Sequence, residues 1–254
     1  MRMVLRLAWL EGKLLLREPI TLVFVLALPI VMMIVMCGVF GNDIEPGENG
    51  EVIFMGVGAT DYYMGAYVAV VVAALGLINL PTHLATYRER GVLRRFEASS
   101  IPRWSLLGAH TLVMIVLSGI GGVLLVIVAK LMYNPMNPAE PVQLVGGFLL
   151  AAVTFAAFGT LLGVVMPTAR AAQGIGIMLW FVMFMLGGVG PPPEVLPAAM
   201  GAVGEATPLL HAVRLLQGTW LGTGWDWGRA GILVGILVVS LALAALVMRR
   251  RSSR

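Results

Sequence analysis

Residues 106–131 read LLGAHTLVMIVLSGIGGVLLVIVAKL, a stretch with no charged side chain before Lys130. A helix of about 20 apolar residues crosses the roughly 30 Å hydrocarbon core of a bilayer. The glycines do not argue against a helix here, because glycine is more frequent in membrane helices than in soluble ones. We therefore interpret the stretch as a membrane-spanning helix.

Similar apolar stretches lie on both sides of this one. Of the 254 residues, 59% are hydrophobic and only 12% are charged, about half the usual share for a soluble domain. A bilayer core is itself an apolar solvent, so this much apolar surface can be exposed to lipid but not to water. The sequence therefore predicts an all-α integral membrane protein, a single transmembrane domain over residues 1–254 with six transmembrane helices. The five further spans are residues 20–40, 62–84, 142–166, 171–190 and 230–248.

The positive charges fall mainly on one predicted side of the membrane. Of 17 Lys and Arg residues, 14 lie in the N-terminal arm, the second and fourth loops and the C-terminal tail, whereas the other side has only Lys130, Arg214 and Arg229. The positive-inside rule places the basic side in the cytoplasm. We expect a multi-pass protein of the cell (plasma) membrane with both termini cytoplasmic. The charge sits in short loops rather than on one polar face, so no nucleic-acid partner is predicted.

The N-terminal arm, residues 1–19, has an amphipathic pattern. At about 100° per residue, its four cations fall within one arc of a helical wheel, with apolar residues on both flanks. This pattern predicts a helix in the inner membrane interface with its cations toward lipid phosphates, so membrane lipids are expected partners. An ordinary basic flank before the first span is the alternative. The cations are Arg2, Arg6, Lys13 and Arg17, and the flanks are Leu7, Leu10 and Leu14, and Leu5, Trp9 and Leu16.

The segment between the fifth and sixth spans, residues 191–229, is too long and too apolar for a simple turn. Three prolines from Pro191 end the fifth helix, since proline lacks a backbone donor. Later in the segment, Thr207 is a candidate N-cap for a helix whose first residue is Pro208. The segment has two apolar stretches, and neither is long enough to cross the membrane. We predict a pair of short re-entrant helices that dip into the outer leaflet, with their broken backbone satisfied by protein or water.

Sequence patterns of catalytic sites are absent. There is no Walker A sequence, no Gly-x-Ser-x-Gly and no His-Glu-x-x-His. The histidines, His83, His110 and His211, are far apart, and the single thiol, Cys37, allows no internal disulfide. The acids of residues 43–61 lack the spacing of a calcium loop. We therefore predict no catalytic, cofactor-binding or metal site in this chain.

The second loop, residues 85–104, is predicted to lie in the cytoplasm and to contain a short helix. Val92, Leu93 and Phe96 have helical spacing and form a small apolar group after Gly91. Apolar anchors inside a charged rim suit docking into a groove on a soluble partner. The alternative is a basic loop that only sets topology. The rim residues are Arg90, Arg94 and Arg95.

Residues 88–96, Arg-Glu-Arg-Gly-Val-Leu-Arg-Arg-Phe, resemble the cytoplasmic loop of type-2 ABC exporter permeases. The family pattern is Arg-Glu-Arg-Gly-Thr-Leu followed by a charged pair and Leu, so Val92 and Phe96 depart from it. A second resemblance lies in Leu196-Pro197, Thr207-Pro208-Leu209 and Ala212-Val213-Arg214, which are similar to the family's Leu-Pro, Asn-Pro-Leu-Thr and Val-Glu-Ala-Arg pieces. The size is most like the drug-exporter branch typified by the daunorubicin exporter membrane subunit.

This resemblance implies the membrane-spanning permease subunit of an ATP-driven exporter. Two such chains, identical or related, would pair with a dimer of cytoplasmic ATP-binding subunits, which would hold ATP and Mg. Efflux of a drug-like, lipid or other amphipathic substrate is implied, with antibiotic resistance as a consequence. The implied ATPase-coupling residues are Arg90, Gly91, Val92, Leu93, Arg94, Arg95 and Phe96. The outer segment is predicted to close the pathway, with gate residues Pro197, Pro208, Leu209, His211 and Arg214.

Two other classes of protein compete with this interpretation. An intramembrane enzyme would need paired ionisable groups in its helices, yet residues 20–40, 106–129 and 230–248 contain no charged side chain. A channel or scaffold without an ATPase would account for the helices but not for the two loop patterns.

Overall fold

The computed structural model describes residues 2–16, 19–42, 54–91, 103–191 and 196–252, and over these residues the chain is helical with no β-strand. The prediction of an all-α protein is confirmed for this part of the chain. Its helices are α1 (Arg2–Leu16), α2 (Pro19–Phe40), α3 (Ala59–Glu89), α4 (Arg103–Met132), α5 (Pro141–Val165), α6 (Ala169–Leu186), α7 (Ala198–Glu205), α8 (Pro208–Leu221) and α9 (Trp227–Ser252).

Five of these helices, α3, α4, α5, α6 and α9, are long and apolar enough to cross a membrane. They correspond to the second to sixth predicted spans. The first predicted span corresponds to α2, where the stretch Leu26–Phe40 is apolar but shorter. A count of six spans therefore stays a prediction.

Helix α3 lies at the centre of the bundle and contacts α2, α4, α5, α6 and α8. A single π-helical turn, Leu75–Asn79, interrupts its α-helical bonding, and the Leu80 N–H donates to the Leu75 carbonyl, five residues back. The cause lies in Pro81, which has no N–H and whose ring crowds the carbonyl of Leu77, four residues earlier. The wider turn is the response of the helix to this proline.

Glycines bring α5 and α6 unusually close to this π turn. The Cα of Gly159 on α5 lies against the carbonyl of Gly76, and the Cα of Gly176 on α6 lies against the carbonyl of Leu77. A Cβ at either glycine would overlap the carbonyl oxygen it faces. In membrane helices such small residues allow backbones to approach closely and gain van der Waals contact.

Helix α1 packs on the first turns of α4. Leu7 and Ala8 form a small apolar cluster with Ala109. On the other side of α1, Trp9 is 67% exposed, and the Lys13 Nζ lies 5.0 Å from its ring centroid. The predicted N-terminal helix is present, with Leu7 against protein and with Leu5, Trp9 and Leu10 exposed. Its position in a membrane interface stays a prediction.

The segment after α6 contains the two short helices that the sequence predicted, α7 and α8, although residues 192–195 lie outside the described residues. Thr207 is the N-cap residue of α8 and Pro208 its first residue, as predicted. The Thr207 hydroxyl donates to the Gly204 carbonyl at 2.7 Å and makes no cap bond to α8. Helix α8 is buried along most of its length against α3, α5 and α9. How deeply the pair enters a membrane stays a prediction.

Candidate functional sites at the two ends of the bundle

One end of the bundle, which we call the α1 end, is where α3 stops and the predicted coupling segment, residues 90–96, begins. The Arg90 N–H donates to the Thr86 carbonyl at 2.9 Å, and the Gly91 N–H donates to the Arg88 carbonyl at 3.1 Å. Gly91 has a φ of 68°, in the left-handed region where glycine ends helices without strain. Arg90 is exposed beside it. The other predicted coupling residues, Val92, Leu93, Arg94, Arg95 and Phe96, lie outside the described residues.

A buried carboxyl group joins α1 to the end of α3. The Tyr87 hydroxyl lies 2.8 Å from Glu11 Oε1 and 2.7 Å from Oε2, so it donates to that carboxylate. His110 of α4 lies on the same group, with Nδ1 4.0 Å from Glu11 Oε2 and its ring 5.3 Å from the Tyr87 ring. Burial raises the pKa of Glu11, and the bond from Tyr87 opposes that rise. The tyrosine therefore supplies the donor that the ionised carboxylate needs.

The next two residues of α3 hold the short turn between α5 and α6. Arg88 Nη1 donates to the carbonyls of Gly163 (3.0 Å) and Val164 (2.8 Å), while Nη2 donates to those of Met166 and Pro167. The carbonyls of Gly163 and Val164 belong to the last turn of α5, where the helix dipole is negative and attracts a cation, and those of Met166 and Pro167 lie in the turn that follows.

Glu89 contacts the other side of the same turn. Its Oε1 accepts a hydrogen bond of 3.0 Å from the N–H of Ala169, the first residue of α6. An acid is favourable there because the N-terminus of a helix carries partial positive charge. Arg88 therefore lies at the negative end of α5 and Glu89 at the positive end of α6, where the two helices meet at residues 166–168.

At the opposite end, which we call the α7 end, a charged group joins α7, α8 and α9. Arg229 of α9 donates from both terminal nitrogens to the carboxylate of Glu205 on α7, with Nη2 3.1 Å from Oε1. The same Arg229 lies with Nη1 3.0 Å from Nδ1 of His211 on α8. The second ring nitrogen of His211 lies 2.9 Å from the Glu205 carbonyl oxygen. Asp226 caps the start of α9 by accepting from the Arg229 N–H at 3.0 Å.

These partners determine the protonation state of His211. Arginine N–H groups only donate and a carbonyl oxygen only accepts, so Nδ1 is the acceptor and Nε2 carries the proton. His211 is therefore neutral. Burial lowers its pKa, and the Arg229 charge acts in the same direction, while the Glu205 carbonyl and the carboxylates of Glu205 and Asp226 act against it. The hydrogen bond from Arg229 lowers the pKa of Glu205.

The predicted gate residues all lie at or near this end. Pro197 immediately precedes α7, and Pro208 and Leu209 are buried in the first turn of α8. His211 and Arg214 lie three residues apart on α8, Arg214 being partly buried. The sequence predicted that His211 and Arg214 share a face of one helix, and the His211 ring also contacts Arg229 and the Glu205 carbonyl.

We expect mild acid to loosen α7 from α8 and α9. Because the pKa of His211 is lowered when the group is assembled, the stability that it contributes is complete above the ordinary histidine pKa of about 6.5 and is lost as the pH falls below it. Protonation removes the acceptor that Arg229 uses. Among the described residues, the charged groups that face the site besides His211 are Glu205 of α7, Arg214 of α8, Arg229 of α9 and Asp226, which directly precedes α9. Amide exchange of residues 198–207, corrected for intrinsic rates, should be faster at pH 5.5 than at pH 7.5.

The control for this experiment is His211→Gln, which cannot titrate. Its exchange should respond much less to this pH change than that of the unmodified chain. An equal acid response in both proteins would assign the effect to another group.

Six residues of these two groups were missed by the sequence interpretation. Two signals pointed to some of them: Arg88 and Glu89 begin the stretch that resembles the permease loop, and Glu11 is the only acid among residues 1–17. The bonds at the α1 end join residues 75 to 80 positions apart, which no local pattern reveals. The missed residues are Glu11, Tyr87, Arg88, Glu89, Glu205 and Arg229.

In the described part of the chain, no three His, Cys, Asp or Glu side chains lie close enough together to hold a metal ion.

The long apolar helices indicate the class of protein. Large apolar side chains stand exposed along their outer faces, among them Ile120 and Val123 of α4, Phe181 of α6, and Val238 and Leu246 of α9. Water would be a poor solvent for such faces, and lipid a good one. This is a multi-pass helical membrane protein.

The comparison with known families then gives its family. The family model described as "ABC-2 type transporter" matches residues 3–221, which are most of the chain. The chain belongs to the ABC-2 type transporter membrane family, whose members are transport permeases rather than catalytic proteins and normally work with an ATP-binding subunit. The resemblance seen in the sequence is confirmed.

A curated relative is also described as a transport permease. The chain is 29% identical over 108 residues to the protein described as "Putative transport permease YvfS" of Bacillus subtilis (strain 168). The match covers 41% of this chain and 42% of that protein, so the chain spans about two fifths of the length of the relative it matches.

Proposed function

We propose that this chain is the permease subunit of an ATP-driven exporter, which moves an amphipathic, drug-like or lipid substrate out of the cell. The family assignment over residues 3–221 carries the proposal. A separate cytoplasmic ATPase dimer, holding ATP and Mg, supplies the energy, and a second permease chain completes the pathway. This chain has no ATPase site of its own.

The proposed orientation places the α1 end in the cytoplasm. The predicted cytoplasmic segments carry 14 of the 17 Lys and Arg residues. At that end, the coupling segment continues directly from the central helix α3 through Gly91. A displacement of the segment by the ATPase therefore reaches a helix that contacts five others in the bundle.

The α7 end then faces outward and acts as the gate. Helices α7 and α8 are held to α9 by the bonds among Glu205, His211 and Arg229. A closed outer gate needs contacts that break and re-form, and a few polar bonds between short helices meet that need better than the apolar core does.

The test uses inside-out membrane vesicles that contain the chain together with its ATPase partner. ATP added outside these vesicles reaches the cytoplasmic face and should drive a fluorescent amphipathic dye into the lumen. The control chain has residues 92–96 replaced by Gly and Ser. It should insert normally and accumulate no dye.

ATP-independent dye movement in both proteins would favour a channel. Absence of ATP hydrolysis from vesicles that contain both subunits would contradict the exporter. If external ATP drives dye transport in right-side-out vesicles, the orientation of the chain is the reverse of the one proposed.

A further inference from the structure

Three consecutive residues at the end of α3 bond to three different neighbours. Tyr87 donates to Glu11 on α1, Arg88 donates to the carbonyls that end α5, and Glu89 accepts from the first N–H of α6. Successive side chains on a helix point about 100° apart, so each residue faces a separate element. His110 of α4 lies on the Tyr87 ring as a fourth neighbour.

These contacts lie directly before Gly91, where α3 ends. The backbone bonds Arg90 N–H to Thr86 O and Gly91 N–H to Arg88 O keep the start of the coupling segment in register with the last turn of α3. A displacement of that segment therefore turns the three side chains together. Tyr87 then moves α1, and Arg88 and Glu89 together move the turn that joins the end of α5 to the start of α6.

The strengths of the three connections differ. Arg88 is partly buried and donates to four carbonyls, whereas Glu89 is exposed and makes one bond from its carboxylate. Charge-assisted bonds in partly buried places are the stronger kind, and exposed ones contribute little. Arg88 is therefore the main connection, and Tyr87, bonded to a buried carboxyl, is the second.

We propose that Tyr87, Arg88 and Glu89 form a transmission joint, in which they act as positioning residues that pass the movement of the coupling segment to α1 with α4, to the end of α5 and to the start of α6. The proposal rests on the proposed function, since it needs an ATPase that moves the segment. It differs from the coupling residues predicted from the sequence, which are the docking surface itself.

The experiment measures coupling in the purified complex of permease and ATPase. Arg88→Ala is compared with Arg88→Lys, which keeps the charge and part of the bonding, and with Arg170→Ala, which removes an exposed arginine from α6 just after the same turn. The readouts are the amount of ATPase bound, the basal hydrolysis with its KM for ATP, and the stimulation by substrate.

Arg88→Ala should leave the amount of bound ATPase and the KM for ATP unchanged but reduce the stimulation by substrate about tenfold. Arg88→Lys should recover part of this stimulation. Arg170→Ala should match the unmodified complex in all readouts. Where Arg88→Ala gives no folded protein, Tyr87→Phe, which removes a single oxygen, should lower the stimulation at least twofold. Full stimulation in both Arg88→Ala and Tyr87→Phe would overturn the joint, and so would an equal loss in Arg170→Ala. An unmodified complex without ATP hydrolysis would instead contradict the proposed function.

Discussion

Gly176→Ala should destabilise this permease by about 2 kcal/mol or more and lower its folded yield, although it adds only one methyl group. The Cα of Gly176 lies against the Leu77 carbonyl at the π turn of α3, and a Cβ would overlap that oxygen. The obstacle is backbone, so a rotamer change cannot relieve it. Helix α6 would have to move away from α3, losing packing along the whole contact.

The matched control is Gly174→Ala, two residues earlier on the same helix. A Cβ at Gly174 has nothing within 4 Å. Alanine is also the better helix former, by roughly 1 kcal/mol, so this variant should be neutral or slightly stabilised. The measurement is the apparent midpoint of thermal unfolding in detergent, with the monodisperse fraction by size-exclusion chromatography. Equal midpoints for the two variants would contradict the close approach of α6 to α3.

The positions of the long helices could be predicted because length and apolarity alone determine them. The fourth predicted span, residues 142–166, differs from α5 by one residue at each end. The second, residues 62–84, falls short of the helix Ala59–Glu89 that contains it. The sequence assigns the polar end of this helix to the second loop, residues 85–104. Arg88 and Glu89 remain helical since neighbouring helix termini satisfy their charges.

The π turn and the polar groups at both ends could not be predicted from local patterns. Pro81 lies inside the second predicted span without having been singled out, and only the packing of Gly159 and Gly176 shows how the π turn before it is accommodated. Similarly, Glu205 and Arg229 are 24 residues apart and belong to separate helices. Contacts between elements depend on tertiary packing, which periodicity does not report.

The second large effect is expected from a substitution in the coupling segment. Phe96→Ala is expected to weaken docking of the ATPase by about 2 kcal/mol, roughly a thirtyfold loss of affinity. The spacing of Val92, Leu93 and Phe96 predicts that they share one side of a helix. Binding energy concentrates in a few apolar or aromatic anchors that lose contact with water. Phe96 is the largest of the three. Its removal takes away more apolar contact than any other single change in the segment.

The comparison that decides the role of the segment is Phe96→Ala beside Arg94→Ala. Rim charges exposed to water contribute little each, so the arginine variant should bind the ATPase nearly normally. A loop that only sets topology predicts the reverse order, because the positive charge directs insertion and the phenylalanine has no part in it. The two interpretations therefore differ in the ranking of the variants as well as in the size of the effect.

Membrane expression is first matched for the two variants, so that insertion and docking are measured separately. The amount of ATPase that co-purifies and the substrate-stimulated hydrolysis then report docking. With Phe96→Ala, both should fall while the joint at Tyr87, Arg88 and Glu89 stays intact, since its bonds lie within the permease. If Phe96→Ala keeps full assembly and stimulation while Arg94→Ala fails to insert, the segment sets topology and the ATPase contact lies elsewhere on the α1 end.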